Sequence, residues 1–153
     1  YLGGDASDFA LVEAYLGLGM LLGTTMVYGI GSRVTHGLLF LLGLFIDGAS
    51  FCLYYFVESM SQLNFFSILH GIGIPFLIIS RVSIMQKHIP EKMLGRIFAI
   101  ISISILSMTA VSSGMIGVMA EFFAIKTIFL IFGILAGACG IAGLMHPKIK
   151  YLN

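Results

Sequence analysis

Charged side chains are scarce in this sequence. Asp, Glu, Lys and Arg make up 10% of its 153 residues, whereas about 25% is usual for a soluble domain. Hydrophobic residues make up 59% of the chain and the mean hydropathy is +1.07. This composition excludes an ordinary soluble globular domain. The formal net charge of +1 gives no basis for binding nucleic acid, so no such partner is predicted.

Cysteine is also rare. The two cysteines, Cys52 and Cys139, lie within apolar stretches and have no CxxC spacing. Their number and spacing exclude a disulfide-stapled scaffold and the usual cysteine zinc sites. We interpret both as small core residues, and we predict neither a metal site nor a cofactor.

Long apolar runs make up most of the sequence. A helix that crosses a bilayer needs about 20 mostly apolar residues, and five runs meet this requirement. The runs are Ala10–Ile30, Gly37–Val57, Leu63–Met85, Ile97–Ala120 and Ile125–Met145. They lack the alternation of barrel strands and the polar stripe of soluble helices. The sequence therefore predicts an all-α membrane protein, with residues 1–153 forming one domain of five transmembrane helices joined by short connectors.

Basic residues are distributed unevenly over the connectors. Seven of the eight lie on one side of the predicted membrane, and Lys126 lies on the other. The seven are Arg33, Arg81, Lys87, Lys92, Arg96, Lys148 and Lys150. Because basic loops stay in the cytoplasm, this bias predicts that residues 1–9 are outside and the C-terminal tail is inside. The predicted location is the cytoplasmic membrane of the cell, with several spans.

The third connector, QKHIPEKMLGR, contains residues typical of a helix start as well as charged residues. Pro90 suits a helix start, and Glu91 complements the positive end of the helix dipole. Gly95 leaves room for a close approach of backbones just before Arg96 enters the fourth span.

The wider stretch SRVSIMQKHIPEKMLGRIFAIISI resembles the loop between the tenth and eleventh helices of major facilitator superfamily transporters. It is most similar to the drug-export subgroup that includes macrolide-efflux proteins. The matching positions are Gln86, Pro90, Glu91, Leu94, Gly95, Arg96 and Phe98. The run GLGMLLGTTMVYGIGSRVTHG is similar to the family's eighth helix and the basic turn that follows, although the family's acidic residue is absent from that turn.

This resemblance implies that the five spans are helices eight to twelve of a longer transporter. The chain begins at Tyr1, with no signal-peptide pattern before the first span, so we expect the first seven helices of the same protein as missing partners. The implied function is transport of a small molecule by alternating access. The form of transport that the resemblance suggests is ion-coupled export of a lipophilic compound, and the proton is the candidate coupling ion. Arg96 would then form a latch by donating hydrogen bonds to backbone carbonyl groups or to Glu91, since its guanidinium group binds two acceptors at once.

Four ionisable residues lie within the spans, namely Glu13, Asp47, His70 and Arg81. A charge at the bilayer centre costs about 2.5–3.5 kcal/mol on insertion scales, so such residues usually face a cavity or a partner. We therefore take all four as candidates for the substrate or proton pathway. Glu13 and His70 differ in depth by about 6 Å, which side chains bridge, whereas Asp47 and Arg81 differ by about 9 Å.

Each of the four also has a simpler interpretation. The resemblance puts His70 and Arg81 on a helix that lines the central cavity and Asp47 on a peripheral helix, where a structural hydrogen bond is the alternative role. Glu13 is alternatively an interfacial carboxylate. His70 is alternatively just hydrogen-bonded, and Arg81 alternatively reaches the headgroup region.

Glycine is abundant at helical spacings. Gly19 and Gly23 form a GxxxG pair in the first span, and Gly133 and Gly137 form another in the fifth. Such pairs favour close helix packing in membranes, and smooth contacts of this kind also suit helices that slide during transport. Pro75 removes one backbone hydrogen bond in mid-span and predicts a local bend.

Two other classes of function remain as alternatives. One is a non-transporting membrane scaffold or a degenerate remnant of a transporter. The other is a membrane-embedded enzyme, which normally needs paired catalytic groups such as two intramembrane aspartates or a serine–histidine pair. No such pair stands out in the sequence, so we predict no enzymatic activity and no catalytic residues.

The charge bias yields a test of topology. In a background without Cys52 and Cys139, a cysteine introduced at Gln62 should react with an impermeant thiol reagent in intact cells. A cysteine introduced at Lys92 should react only after the membrane is opened. The opposite labelling pattern would overturn the predicted orientation.

Overall fold

The computed structural model describes residues 4–152, and its helices follow the apolar runs. The helices are α1 (Ala6–Ile30), α2 (His36–Tyr54), α3 (Met60–His88), α4 (Glu91–Phe122), α5 (Ile125–Leu144) and α6 (Pro147–Lys150). The first five are long and apolar enough to cross a membrane. No strand occurs in the described part of the chain. The all-helical fold with five apolar helices is therefore confirmed.

The starts of α1, α2 and α3 are capped by polar side chains. The Asp5 carboxylate accepts hydrogen bonds from the backbone N–H groups of Ser7 and Asp8, at 2.8 and 3.0 Å, and so caps α1. Hydrogen bonds from the Ser7 hydroxyl and from these N–H groups lower the pKa of Asp5. Thr35 caps α2 in the same way. The α2 helix ends at Tyr54, three residues before the predicted end at Val57.

Four of the helices pack in a row, in the order α1, α3, α2 and α5. The contacts run in the same direction along α1 and α3, so these two helices are parallel. They run in opposite directions along α2 and α3, and along α2 and α5, so α2 is antiparallel to both neighbours. The starts of α1, α3 and α5 therefore lie together with the end of α2.

The two ends of this bundle differ in charge. The acidic end carries Asp5, Asp8, Glu58, Glu121 and the single lysine Lys126. The basic end carries Arg33, Lys87, Lys92, Arg96, Lys148 and Lys150. By the charge bias, the basic end is the predicted cytoplasmic side.

Glycines allow α1 and α3 to touch backbone to backbone. A Cβ atom placed on Gly19 would overlap the carbonyl oxygen of Ile68 and come within 3.0 Å of the Cα of Gly71. A Cβ atom on Gly23 would meet the Cα of Ile72 at 3.0 Å. Both glycines of this GxxxG pair therefore lie at the α1–α3 contact.

A second glycine contact joins α2 and α5. A Cβ atom on Gly133 would come within 2.6 Å of the Cys52 backbone nitrogen and 2.8 Å of the Gly48 carbonyl oxygen. One on Gly48 would press against the backbone of Gly137. At Gly137 itself, an added Cβ atom would meet open space. Gly137 therefore takes part in the contact through its backbone, which Gly48 approaches.

Two expectations about single residues have different outcomes. Cys52 lies at the α2–α5 contact, but Cys139 is exposed, so the expected core position is wrong for Cys139. Pro75 is buried within α3, which continues through it as one helix from Met60 to His88. The weakened hydrogen bonding at Pro75 therefore does not end the helix.

The α4 helix stands apart from the row. None of its residues is buried, and it meets α3 and α5 at only a few positions. It begins at Glu91, directly after Pro90, so Glu91 occupies its first turn. Its hydroxyl groups bond within the helix where they bond at all, as Ser104 does to the carbonyl of Ile100 at 2.9 Å. The core of the described bundle is therefore built without α4.

The α1–α3 contact predicts a contrast between two glycines of α1. Gly19→Ala should lower the free energy of unfolding by about 1–3 kcal/mol, because the new methyl group meets the rigid α3 backbone. Gly17→Ala should be neutral or stabilising by up to about 1 kcal/mol, since its position is open and Ala favours helix. Detergent titrations followed by circular dichroism measure both values. Equal effects of the two substitutions would contradict the packing described here.

Candidate functional site

The α2–α3 contact brings two of the predicted ionisable residues together. A Cβ atom on Gly73 would lie 3.3 Å from the Asp47 backbone nitrogen, so α2 and α3 approach closely at this level. His70 lies one turn before Gly73 on α3. Its Nδ1 atom is 3.1 Å from Oδ1 of Asp47. The two side chains are about one-fifth exposed, at 18% for His70 and 20% for Asp47.

Ser50 completes the arrangement. It follows Asp47 by three residues, which puts both on one face of α2. Its hydroxyl donates to the Asp47 backbone carbonyl at 2.7 Å, and its oxygen lies 3.1 Å from His70 Nδ1. The Ser50 side chain is completely buried. We call Asp47, Ser50 and His70 the polar triad of residues.

These contacts determine which nitrogen of His70 carries hydrogen. The Ser50 hydrogen is used on the Asp47 carbonyl, so its oxygen presents a lone pair to Nδ1. An ionised Asp47 carboxylate is also only an acceptor. We therefore infer that Nδ1 carries the hydrogen and that Nε2 presents a lone pair. Nε2 has no hydrogen-bond partner within residues 4–152.

Aromatic rings surround the triad on the side of the acidic end. Phe51 meets the His70 ring edge-on, with centroids 4.9 Å apart, and stacks on Phe129 of α5 at 5.7 Å. Tyr54 packs against Phe129 at 5.4 Å. The Tyr54 hydroxyl lies 3.4 Å from that of Ser67, a long hydrogen bond. The polar triad is thus held in an apolar frame that strengthens its electrostatics.

A cavity of about 520 Å³ leads from the acidic end to His70. Its mouth carries Asp5, Asp8, Glu13 and Lys126, and its walls include Phe51, Tyr54 and Phe129. Cavities of about 300–1,000 Å³ with apolar walls and few polar groups are typical of small-molecule sites. This volume is therefore sufficient for a small organic ligand.

A second cavity of about 350 Å³ adjoins the first and shares lining residues with it. It is bounded by α2, α4 and α5, and Asp47 faces it together with Ser112 and Phe132. His70 lines the first cavity and Asp47 the second, while Phe51 and Phe129 line both. The Asp47–His70 pair therefore lies in the wall between two cavities.

The other predicted pathway residues fall outside the triad. Glu13 lines the same cavity as His70, but no hydrogen bond or ion pair joins them. Arg81 lies eleven residues beyond His70 on α3, about 16 Å along the axis. It is half-buried and makes no ion pair with Asp47. Depth alone suggested Glu13 as the partner of His70, and the structure pairs His70 with Asp47 instead.

The loop motif is far from this site, at the basic end. Gln86, Pro90, Glu91 and Arg96 are exposed, and Arg96 makes no contact with Glu91 that would form a latch. A Cβ atom on Gly95 would meet no atom within 4 Å in the described part of the chain, so the expected close approach is not formed there. A gating role for this loop therefore stays a prediction from the resemblance.

Sequence reasoning missed Ser50, Phe51 and Phe129. Ser50 carried a usable signal, since a small hydroxyl residue one turn after an intramembrane aspartate is well placed to bond near it. The aromatic pair carried none, because Phe is common along all the spans. Only the packing of α2 on α5 selects these two rings.

No known family model matches this chain, and neither a curated protein sequence nor a solved structure shows significant similarity to it.

The geometry predicts an energetic coupling between Asp47 and His70. In a double-mutant cycle with Asp47→Asn and His70→Phe, the coupling free energy should be about 0.6–1.7 kcal/mol, the range of polar pairs within membranes. The matched control combines Asp47→Asn with Glu13→Gln, whose effects should add within about 0.5 kcal/mol because the residues do not touch. Unfolding in mixed micelles supplies the values. Additive effects of Asp47→Asn and His70→Phe would contradict the pairing.

Proposed function

We propose that this chain belongs to a secondary transporter that moves a small molecule across the membrane by alternating access. Asp47 and His70 serve as its ion-coupling group. The observation that carries the proposal is an ionisable pair within the spans, where His70 lines a cavity large enough for a small organic ligand and Asp47 lines a second one. Charged groups within a membrane are costly, and they commonly mark ion or substrate pathways.

The pair is suited to proton coupling. When neutral, His70 offers Nε2 as an acceptor toward the first cavity. When protonated there, it becomes a cation beside the Asp47 carboxylate, 3.1 Å from its other nitrogen. A proton bound at this position changes the charge of the cavity wall. A substrate in the cavity therefore meets a different electrostatic environment in each state.

Membership of the major facilitator superfamily is part of this proposal. It rests on the stretch SRVSIMQKHIPEKMLGRIFAIISI, whose seven matching positions resemble the family's loop between the tenth and eleventh helices. On this assignment α1 to α5 correspond to helices eight to twelve, in the cytoplasmic membrane. Export of a lipophilic compound is the form of transport that the resemblance suggests, and the aromatic cavity walls are compatible with such a compound.

A hydrolytic enzyme is the competing function, because serine, histidine and aspartate meet at one point. In a catalytic triad the serine and the aspartate bind opposite nitrogens of the imidazole. Here Ser50 and Asp47 both approach Nδ1, and the Ser50 hydrogen points to a backbone carbonyl. His70 cannot take a proton from Ser50 in this arrangement, and Ser50 is inaccessible to a substrate. The contacts favour a proton-binding role over hydrolysis.

The test is transport driven by an imposed pH gradient. The gene is expressed at its full native length in cells that lack other exporters, and membrane vesicles are assayed with a panel of labelled lipophilic compounds. Wild-type protein should transport at least one compound. Asp47→Asn and His70→Phe should each lower its pH-driven flux at least tenfold while keeping expression and helicity, since either change removes the charge switch.

Glu58→Gln is the matched control. It replaces a carboxylate, as Asp47→Asn does, but Glu58 is exposed at the acidic end and does not line the cavity, so flux should stay within twofold of wild type. Wild-type pH-driven flux in both Asp47→Asn and His70→Phe would contradict the proposed ion-coupling role of the pair. Absence of flux for every compound in wild-type vesicles would favour the non-transporting scaffold.

A further inference from the structure

The C-terminal tail is fastened to the start of α2. The Thr35 hydroxyl donates a hydrogen bond to the Lys150 carbonyl at 2.6 Å, and the Gly37 N–H donates to the Leu152 carbonyl at 2.8 Å. A Cβ atom on Gly37 would overlap the carbonyl oxygen of Ile149. Backbone and side-chain contacts thus hold residues 149–152 against the turn between α1 and α2.

This contact gathers basic residues from three separate parts of the chain. Arg33 lies two residues before Thr35, and Lys148 lies two residues before Lys150. Lys87, at the end of α3, is near enough to His36 for their charges to interact. We call Arg33, Lys87, Lys148 and Lys150 the basic cluster. It is a property of the folded chain, because up to 117 positions separate its members.

The basic cluster is not neutralised by the protein. No carboxylate forms an ion pair with any of its four members within residues 4–152. The one acidic residue at this end, Glu91, occupies the first turn of α4, which barely touches the rest of the bundle. Arg33, Lys87 and Lys148 are exposed. Four positive charges at the same end of the bundle, without a carboxylate partner in the described residues, therefore favour an anionic ligand.

The surroundings of the cluster favour a lipid as that ligand. Met145, Ile149 and Tyr151 are exposed on the tail beside it, at 81%, 43% and 66%, and Lys150 Nζ lies 5.4 Å from the centre of the Tyr151 ring. Apolar side chains, a tyrosine and lysines in this order are typical of the boundary between hydrocarbon and headgroups. Each lysine or arginine near an anionic membrane surface strengthens its attraction appreciably.

We propose that the basic cluster is a binding site for the headgroup of an anionic phospholipid. The headgroup phosphate lies among Arg33, Lys87, Lys148 and Lys150, and the acyl chains run along the exposed apolar surface of the helices. Because the tail contributes two of the four charges, the lipid also stabilises the contact of the tail with Thr35 and Gly37. This site lies at the opposite end of the bundle from the first cavity and does not depend on the transport proposal.

The test is binding of phosphatidylglycerol to the purified chain in a non-ionic detergent, measured by native mass spectrometry. Phosphatidylcholine with the same acyl chains is the neutral probe, and inorganic phosphate is the free-anion probe. Phosphatidylglycerol should bind at least tenfold more tightly than phosphatidylcholine. The double variant Lys148→Gln with Lys150→Gln should bind it about 25-fold more weakly, since each charge contributes roughly fivefold. Lys148→Arg with Lys150→Arg should retain binding and shows that the tail still folds.

The matched control is Lys92→Gln with Arg96→Gln. It removes two positive charges from the same end of the bundle, but at exposed positions of α4 that do not belong to the basic cluster, so binding should stay within twofold of wild type. An equal loss in this control would show a general charge effect and overturn the site. Equal affinity for the two lipids would also overturn it, as would displacement of phosphatidylglycerol by millimolar phosphate.

Discussion

Close contact between helix backbones is the constraint on which this structure depends. Lipid tails are as apolar as the side chains of the spans, so there is no hydrophobic gain when two such helices associate. Van der Waals contact and hydrogen bonds must supply the attraction, and both require near approach. Gly19 and Gly71 permit this between α1 and α3, and Gly48 and Gly133 permit it between α2 and α5. The order of helices in the row follows from where these glycines lie.

The same constraint creates the polar triad. Gly73 lets α3 approach the Asp47 backbone, and one turn earlier this approach brings His70 to the Asp47 carboxylate. Such a pair is weak evidence for stability, because removing two charges from water costs about as much as their attraction returns. An apolar pair of similar volume would hold α2 and α3 together as well. Helix association alone therefore does not account for an ionisable pair at this position.

Hydropathy and helix length were sufficient to predict the five helices, since a long apolar chain in lipid satisfies its backbone groups only as helix. The Asp47–His70 pair was not predicted, although counting from the acidic end puts Asp47 and His70 only about 4.5 Å apart in depth. That is less than the separation of Glu13 and His70. Depth gives one coordinate, and the rotation of each helix about its axis decides which side chains meet. The glycine contacts determine that rotation, but the sequence does not show which helix each glycine contacts.

The uneven packing of the helices has a consequence for the two cavities. The walls formed by α1, α3, α2 and α5 are joined by glycine contacts that leave no space for movement without loss of contact. The wall formed by α4 has no buried residue and few contacts, yet its Ser112 and Ile116 close the second cavity over Asp47. Displacing α4 therefore disrupts less packing than displacing any other long helix. The cavity lined by Asp47 is thus bounded in part by the most loosely packed long helix, while the cavity lined by His70 is framed by the closely packed ones.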